Sequence, residues 1–239
     1  MLPPATISAA RIDAMRLTLF DLDNTLLAGD SDYGWGRFVV RHGLVDAGYY
    51  EKKNAEFYAA YQAGNLDQAA YLEFSLEPLT RYTMAELDRW HRQFMSECIE
   101  PLMSLPGRLL VEERREAGDL IVIITSTNRF ITAPIARAYG VEHLVATDPE
   151  VLGGRYTGRI AGIPAFREGK VTRLQAWLAQ RGERLDGFSE TWFYSDSIND
   201  LPLLEVVSDP VAVDPDDALD AIARRRNWPV ISLRDSPPG

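Results

Sequence analysis

One cysteine, Cys98, stands in a chain of 239 residues. A single thiol excludes an intramolecular disulfide and a thiolate metal cluster, and it fits a reducing, cytoplasmic setting. No apolar stretch approaches the roughly 20 residues that a membrane-spanning helix needs. The N-terminal stretch MLPPATISAARIDAMR lacks the basic start and unbroken apolar core of a signal peptide. Basic charge is also scarce: Lys and Arg total 25 against 35 Asp and Glu, a formal net charge of −10. That balance argues against a nucleic-acid scaffold, which needs a basic face, and against an anionic membrane surface as partner. There is no internal repeat and no low-complexity segment.

Hydrophobic residues make up 46% of the chain and charged residues 25%, enough for one sizeable core plus a smaller one. The most informative stretch is Leu17-Thr18-Leu19-Phe20-Asp21-Leu22-Asp23-Asn24-Thr25. A short, β-capable run over residues 17–21 meets two carboxylates one residue apart. Alternation would place Asp21 and Asp23 on one face, where they repel unless a cation lies between them or one holds a proton. The pairing suggests a hard metal, and Mg²⁺ takes one or two carboxylates while leaving room for phosphate oxygens. The same acids also suit the cap of a following helix.

Residues 1–15 read as a lead-in and the stretch from Arg234 as a frayed tail. Gly29, Gly34 and Gly36 break regularity around Asp30, Ser31, Asp32 and Trp35. From about Arg37 to Met103, residues such as Phe38, Tyr50, Phe57, Tyr58, Tyr61, Phe74, Leu87 and Phe94 recur at amphipathic-helix spacing. Thr83-Met84-Ala85-Glu86 is a capping-box pattern that should open a helix. Leu105-Pro106-Gly107 reads as a turn, and 109–117 as a helix stopped by Gly118. Further strands are expected at 120–124, 143–147, 191–195 and 210–213, a hairpin at 155–160, and helices near 131–139 and 170–181. This alternation predicts an α/β fold, a Rossmann-like doubly wound parallel sheet. Residues 1–29 and 104–239 would form the core and 30–103 an inserted α-helical domain.

Three of these strands end in polar clusters: Asp21 and Asp23; Thr125 and Ser126; Asp196 and Asp200. In a parallel sheet such ends share one edge. Lys170 lies between the last two clusters, near a helix start. The order of acidic pair, hydroxyl, lysine and second acidic pair resembles the haloacid dehalogenase superfamily of hydrolases. The first motif matches its DxDxT signature. The last, Ser195-Asp196-Ser197-Ile198-Asn199-Asp200, is similar to its GDxxND-type motif, with serine where glycine is more usual. The helical insert after the first motif resembles subclass IB, which includes phosphoserine phosphatase-like and histidinol-phosphatase-like members.

The resemblance implies a Mg²⁺-dependent phosphomonoesterase that works through an aspartyl-phosphate. Asp21 would be the nucleophile and Asp23 the general acid and base, its backbone carbonyl reaching the metal. Thr125, with Ser126 as the register alternative, would bond a phosphoryl oxygen, and Lys170 would neutralise its charge. Asp196 would bind the metal; Asp200 would bind it through water or orient Lys170. Asp23 matters for the choice of chemistry, since an acid there favours rapid hydrolysis or transfer to a hydroxyl over dehalogenation. A helical cap would exclude water and admit a small phosphorylated metabolite. Asp30, Asp32, Trp35 and Arg81 are candidates to touch its non-phosphate end, and Asn128 is a further candidate substrate contact. The expected assembly is a monomer or homodimer. A phosphotransferase or mutase, and a non-catalytic binding protein on the same scaffold, are the competing readings.

Overall fold

The computed structural model describes residues 15–62 and 67–234. The lead-in over 1–14, the tail from residue 235 and the side chains of Tyr58 and Tyr61 lie outside the described residues. The first strand, β1 (Arg16–Phe20), is buried from Leu17 onward. It pairs in parallel with β2 (Leu120–Asn128) on one side and β6 (Glu190–Ser195) on the other. β3 (His143–Thr147) extends the sheet beyond β2, and β7 (Asp209–Val213) and β8 (Val230–Ile231) extend it beyond β6. The order is β3-β2-β1-β6-β7-β8, with every pairing parallel. Order reverses at β1, so a crevice opens at the carboxyl ends of β1 and its neighbours.

Register fixes what meets at that crevice. Phe20 stands opposite Ile123 on β2 and Tyr194 on β6. Asp21, one residue beyond, and Thr125 and Asp196, two residues beyond, are therefore brought to one edge. The opposite edge is fastened by Asp119, whose carboxylate accepts from Arg16 Nε at 2.7 Å and from Thr18 Oγ1 at 2.8 Å.

Between β1 and β2 the chain is helical among its described residues, with α1 (Ser31–Arg41), α2 (Ala47–Gln62), α3 (Gln68–Thr80) and α4 (Met84–Phe94). The predicted capping box at Thr83 and Glu86 is present. Gly34 and Gly36, expected to break regularity, lie inside α1. Their missing side chains admit neighbours: a Cβ at Gly36 would stand 3.3 Å from the Tyr50 ring, and one at Gly34 3.6 Å from Phe94. The expected turn at Leu105 is instead the first turn of α5 (Leu105–Glu116), because Ser104 accepts from Gly107 N–H and Pro106 is tolerated where no amide donor is needed.

The core half continues with α6 (Arg129–Ala138) and α7 (Glu168–Gln180), then the four-residue α8 (Leu201–Leu204) and α9 (Asp217–Arg226). The hairpin is longer than expected: β4 (Pro149–Leu152) and β5 (Arg155–Ile160) join through Gly153 and Gly154, both at positive φ, as a two-residue hairpin turn requires. It packs along α3. One apolar cluster runs from Phe20, Ile123 and Tyr194 through Phe130 into Trp35, Phe38, Leu87 and Phe94. A second, with Leu19, Leu174, Phe193 and Leu219, fills the other sheet face. The helical insert therefore shares the larger core rather than closing a small one of its own. Among the described residues no helix is long and apolar enough to cross a membrane.

Candidate active site

The chain leaves β1 at Asp21, whose N–H donates to Tyr194 O at 2.9 Å, and enters one wide turn over Leu22–Leu26. Asn24 takes a left-handed conformation there, φ 57. Asp21 is buried, and Lys170 Nζ lies 2.7 Å from its Oδ1. The same ammonium lies 2.6 Å from Asp200 Oδ2. Lys170 reaches this position from the first turn of α7. Gly169 precedes it, and a Cβ there would sit 2.2 Å from Pro164 O, so only glycine fits.

Two carboxylates on one buried lysine shift its titration. Burial alone would push the ammonium down, but Asp200 and Asp21 outweigh it and hold Lys170 above its ordinary range. Asp21 is raised to about 6, by burial first, with Lys170 opposing and Asp200 assisting. Asp200 Oδ2 also accepts from Ser195 Oγ at 2.7 Å. Serine in place of the more usual glycine thus adds a donor to the lysine's partner. Asp200, expected either to bind metal through water or to orient Lys170, accepts from the lysine ammonium here.

On the other side of Asp21, Thr25 Oγ1 lies 3.2 Å from Asp21 Oδ2 and 3.0 Å from Asp196 Oδ1, and accepts from Asp196 N–H at 3.0 Å. One hydroxyl proton serves two carboxylates, so they stand close with less donation than two anions need. Burial and then Asp21 push Asp196 up to about 8. Such a pair demands a proton or a cation.

Asp23 is bracketed: Ser31 N–H donates to its Oδ1 at 2.6 Å and Thr127 Oγ1 to its Oδ2 at 2.8 Å. These bonds favour the carboxylate, yet burial, followed by the charge of Asp30, drives its carboxyl well above the usual range. Thr125 is buried beside them, and its Oγ1 accepts from Thr127 N–H at 3.2 Å.

The remaining candidates separate. Ser126 is exposed, while its carbonyl accepts from Thr147 Oγ1. Asn128 caps α6 by accepting from Ile131 N–H at 3.3 Å. Asp30 caps α1 through Tyr33 N–H at 2.9 Å. Asp32 is half-buried and accepts the Tyr71 hydroxyl at 2.6 Å; burial, then Asp30, raise it to about 6. Trp35 packs in the aromatic core, stacked on Phe38 and His91 with Phe94 and Phe130 edge-on, rather than walling an opening. Arg81 is exposed and paired with Glu77 at 2.8 Å. On sequence alone Thr25 and Thr127 have no assigned role, and Ser195 is only a departure from the motif's usual glycine. A signal for Thr127 exists, since it lies two residues from Thr125 on the same strand.

Among the described residues no three His, Cys, Asp or Glu side chains form a ready metal cage. The donor set fits a cation differently. Asp21 and Asp196 are hard oxygen donors that crowd each other, and Mg²⁺ needs only one or two carboxylates, completing its shell with water and phosphate oxygens.

The sequence model of the haloacid dehalogenase-like hydrolases matches residues 18–205. A histidinol-phosphatase of Neisseria meningitidis is 48% identical over 219 residues, which are 91% of this chain and 99% of that protein. A crystal structure of a Bordetella pertussis protein of unknown function is 48% identical, covers 92% of this chain and 100% of its own, and superposes with a TM-score of 0.90. A substrate-bound phosphoserine phosphatase shares the fold at 15% identity, with a TM-score of 0.64, covering 92% of this chain and 93% of that one.

Proposed function

Because the chain belongs to the haloacid dehalogenase-like hydrolases, we propose that it is a Mg²⁺-dependent phosphatase that cleaves a small phosphomonoester through a phosphorylated Asp21. The observation that carries this reading is Lys170, buried between Asp21 and Asp200 at 2.7 and 2.6 Å. It holds a positive charge where a phosphoryl group would meet the Asp21 carboxylate. Phosphoryl transfer depends on positioning and on neutralising equatorial charge, and this edge supplies both.

Asp21 Oδ2 attacks phosphorus, and the bond to the leaving oxygen breaks. Asp23 gives that oxygen its proton, which burial keeps on the carboxyl. Asp23 then takes a proton from water as it attacks the aspartyl-phosphate, which returns Asp21 and releases phosphate. Thr127 and Ser31 N–H keep Asp23 aimed through both steps. Thr125 donates to a phosphoryl oxygen. Asp21, Asp196 and the Asp23 carbonyl would hold Mg²⁺, which when bound offsets the negative charge that the two acids and the substrate bring together.

The helical segment 30–103 serves as a cap over this edge. Asp30 neighbours Asp23 electrostatically, and Asp32 neighbours Asp30. This run of carboxylates suits a substrate whose far end is cationic. An amino-alcohol phosphate has that chemistry, and the Neisseria relative is a histidinol-phosphatase. Histidinol phosphate is therefore the first substrate to test, with phosphoserine second.

The test is phosphate release from a panel of phosphomonoesters, with Mg²⁺ and with EDTA. Release that stops with EDTA, resumes with Mg²⁺ and is fastest for an amino-alcohol phosphate is expected. Activity indifferent to chelation would overturn the metal assignment. Silence without an added acceptor alcohol, with turnover on adding one, would make the enzyme a phosphotransferase.

A further inference from the structure

The catalytic turn is held from outside the motifs. Leu22–Leu26 is a single turn: Leu27 N–H closes it on Leu22 O at 2.9 Å, and the next amide, Ala28 N–H, leaves it for Leu102 O at 2.8 Å. A lone turn leaves its last carbonyls without donors from a next turn. Side chains remote in sequence meet all three. The Tyr139 hydroxyl donates to Leu26 O at 2.7 Å. Arg234 donates through Nη1 to Thr25 O at 3.3 Å and through Nη2 to Asn24 O.

Arg234 is itself anchored. Its guanidinium lies 3.6 Å from Asp214 Oδ2, and the same oxygen accepts from Leu233 N–H at 2.9 Å. Asp214 N–H donates to Ile231 O at 2.9 Å, so the arm after β8 is fixed to the end of β7. The loop carrying Asp196 is tied to the same end: Asp216 N–H donates to Asp196 O at 2.8 Å, and Ile198 N–H to Asp216 Oδ2 at 2.8 Å. One support thus reaches both the Asp21 turn and the Asp196 loop.

We propose that Arg234 is a positioning residue for the reaction, gripping the Asn24 and Thr25 carbonyls so that Thr25 Oγ1 sets the spacing of Asp21 and Asp196. The proposal rests on the phosphatase reading above. A guanidinium suits the task because its planar fork reaches two neighbouring carbonyls at once, which a lysine ammonium does not reproduce. One of those carbonyls belongs to Asn24, which takes the left-handed conformation at φ 57. Arg234 bonds the turn's backbone carbonyls and Asp214 and none of the carboxylates of Asp21, Asp23 or Asp196, so its effect passes through the turn.

The experiment compares Arg234→Ala and Arg234→Lys with Arg16→Ala, which cuts a bond to Asp119 at the opposite sheet edge. Three readouts are taken: hydrogen exchange of amides 22–29, calorimetric binding of Mg²⁺ alone, and kinetics with p-nitrophenyl phosphate. In Arg234→Ala, exchange in 22–29 should quicken about tenfold. Mg²⁺ should bind about 10- to 100-fold more weakly, and kcat should fall by a similar factor with KM little changed. Arg234→Lys should recover part of each. Arg16→Ala should lower Tm and leave all three as in wild type. Unchanged exchange and Mg²⁺ binding in Arg234→Ala, or the same losses in Arg16→Ala, would overturn the proposal. If Arg234→Ala does not fold, wild-type exchange and Mg²⁺ binding in Arg234→Lys would overturn it. A wild type that releases no phosphate would count against the phosphatase reading alone, because exchange still decides the role of Arg234.

Discussion

At the scale of single residues, a buried lysine shared by two carboxylates stands at the centre of the candidate site. Its side chain is 3% exposed, and those of Asp21 and Asp200 are 10% and 4%. Removing one partner from such a set leaves uncompensated charge in a poor solvent. Lys170→Met should therefore cost about 3–5 kcal/mol in urea denaturation at neutral pH. Adding Asp200→Asn should return part of that loss, because it removes one orphaned anion. Equal stability of the single variant and wild type would contradict the picture of a shared, desolvated cation. Asp21, Asp23, Lys170, Asp196 and Asp200 were legible in the sequence because their order and spacing are distinctive. Thr25 stood inside the first motif, yet its bridge between Asp21 and Asp196 spans 171 residues and depends on sheet register. Ser195 read as a departure from a pattern; only the structure shows its hydroxyl on Asp200. Trp35 illustrates the opposite error, since an aromatic beside the motif suits a pocket wall or a core equally well until its neighbours are known.

At the scale of elements, α7 has to start at one place for Lys170 to arrive between its acids. Arg167 precedes it at φ 51, and Gly169 leaves no room for a Cβ. Gly169→Ala must push against the Pro164 backbone, which cannot yield as a flexible side chain would. It should cost about 1–3 kcal/mol and lower kcat more than it raises KM. Thermal melting and steady-state kinetics on the same preparation check both halves; a stable, fully active variant would mean that α7 has slack. Element types were read well where a residue pattern has one physical meaning. The apolar run at 120–124, short and bounded by polar residues, reads as a strand and lies in β2, and Gly118, Gly140 and Gly182, all at positive φ, follow the helices expected to end there. Boundaries failed where one signal serves two purposes. Pro106 and Gly107 look like a turn but also suit a helix start, and Gly34 and Gly36 look like breakers but also let helices approach closely. The short β8 and the charged α9 carry little periodic apolar signal and were not read.

At the scale of the whole molecule, the helical insert and the sheet share one core, and His91 lies where they meet. It is 3% exposed, donates from Nε2 to Ile131 O at 2.9 Å and packs against Trp35 and Phe130. Burial leads the shift that lowers its titration below 6.5, so the folded protein holds it neutral. Between the folded value and 6.5 the unfolded chain binds a proton that the folded chain does not. Stability from this group is thus complete above 6.5 and is lost as pH falls through the folded value. The buried acids act in the opposite sense, so the readout is a difference: from about pH 7.5 to about pH 5, wild type should lose stability relative to His91→Gln. Parallel curves would contradict a neutral, buried His91. The overall architecture was legible because strand and helix signals alternate along most of the chain. The shared core was not, since the sequence shows which residues are apolar but not which side of an insertion they face.

In the proposed reaction Asp21 receives the phosphoryl group. The most direct measurement is to mix enzyme, Mg²⁺ and phosphomonoester, quench with acid within a turnover, and map the protein by mass spectrometry. One phosphoryl group on the peptide containing Asp21, labile to base and absent from Asp21→Asn, is the predicted result. Steady phosphate release with no label on Asp21, or undiminished release by a folded Asp21→Asn, would contradict it.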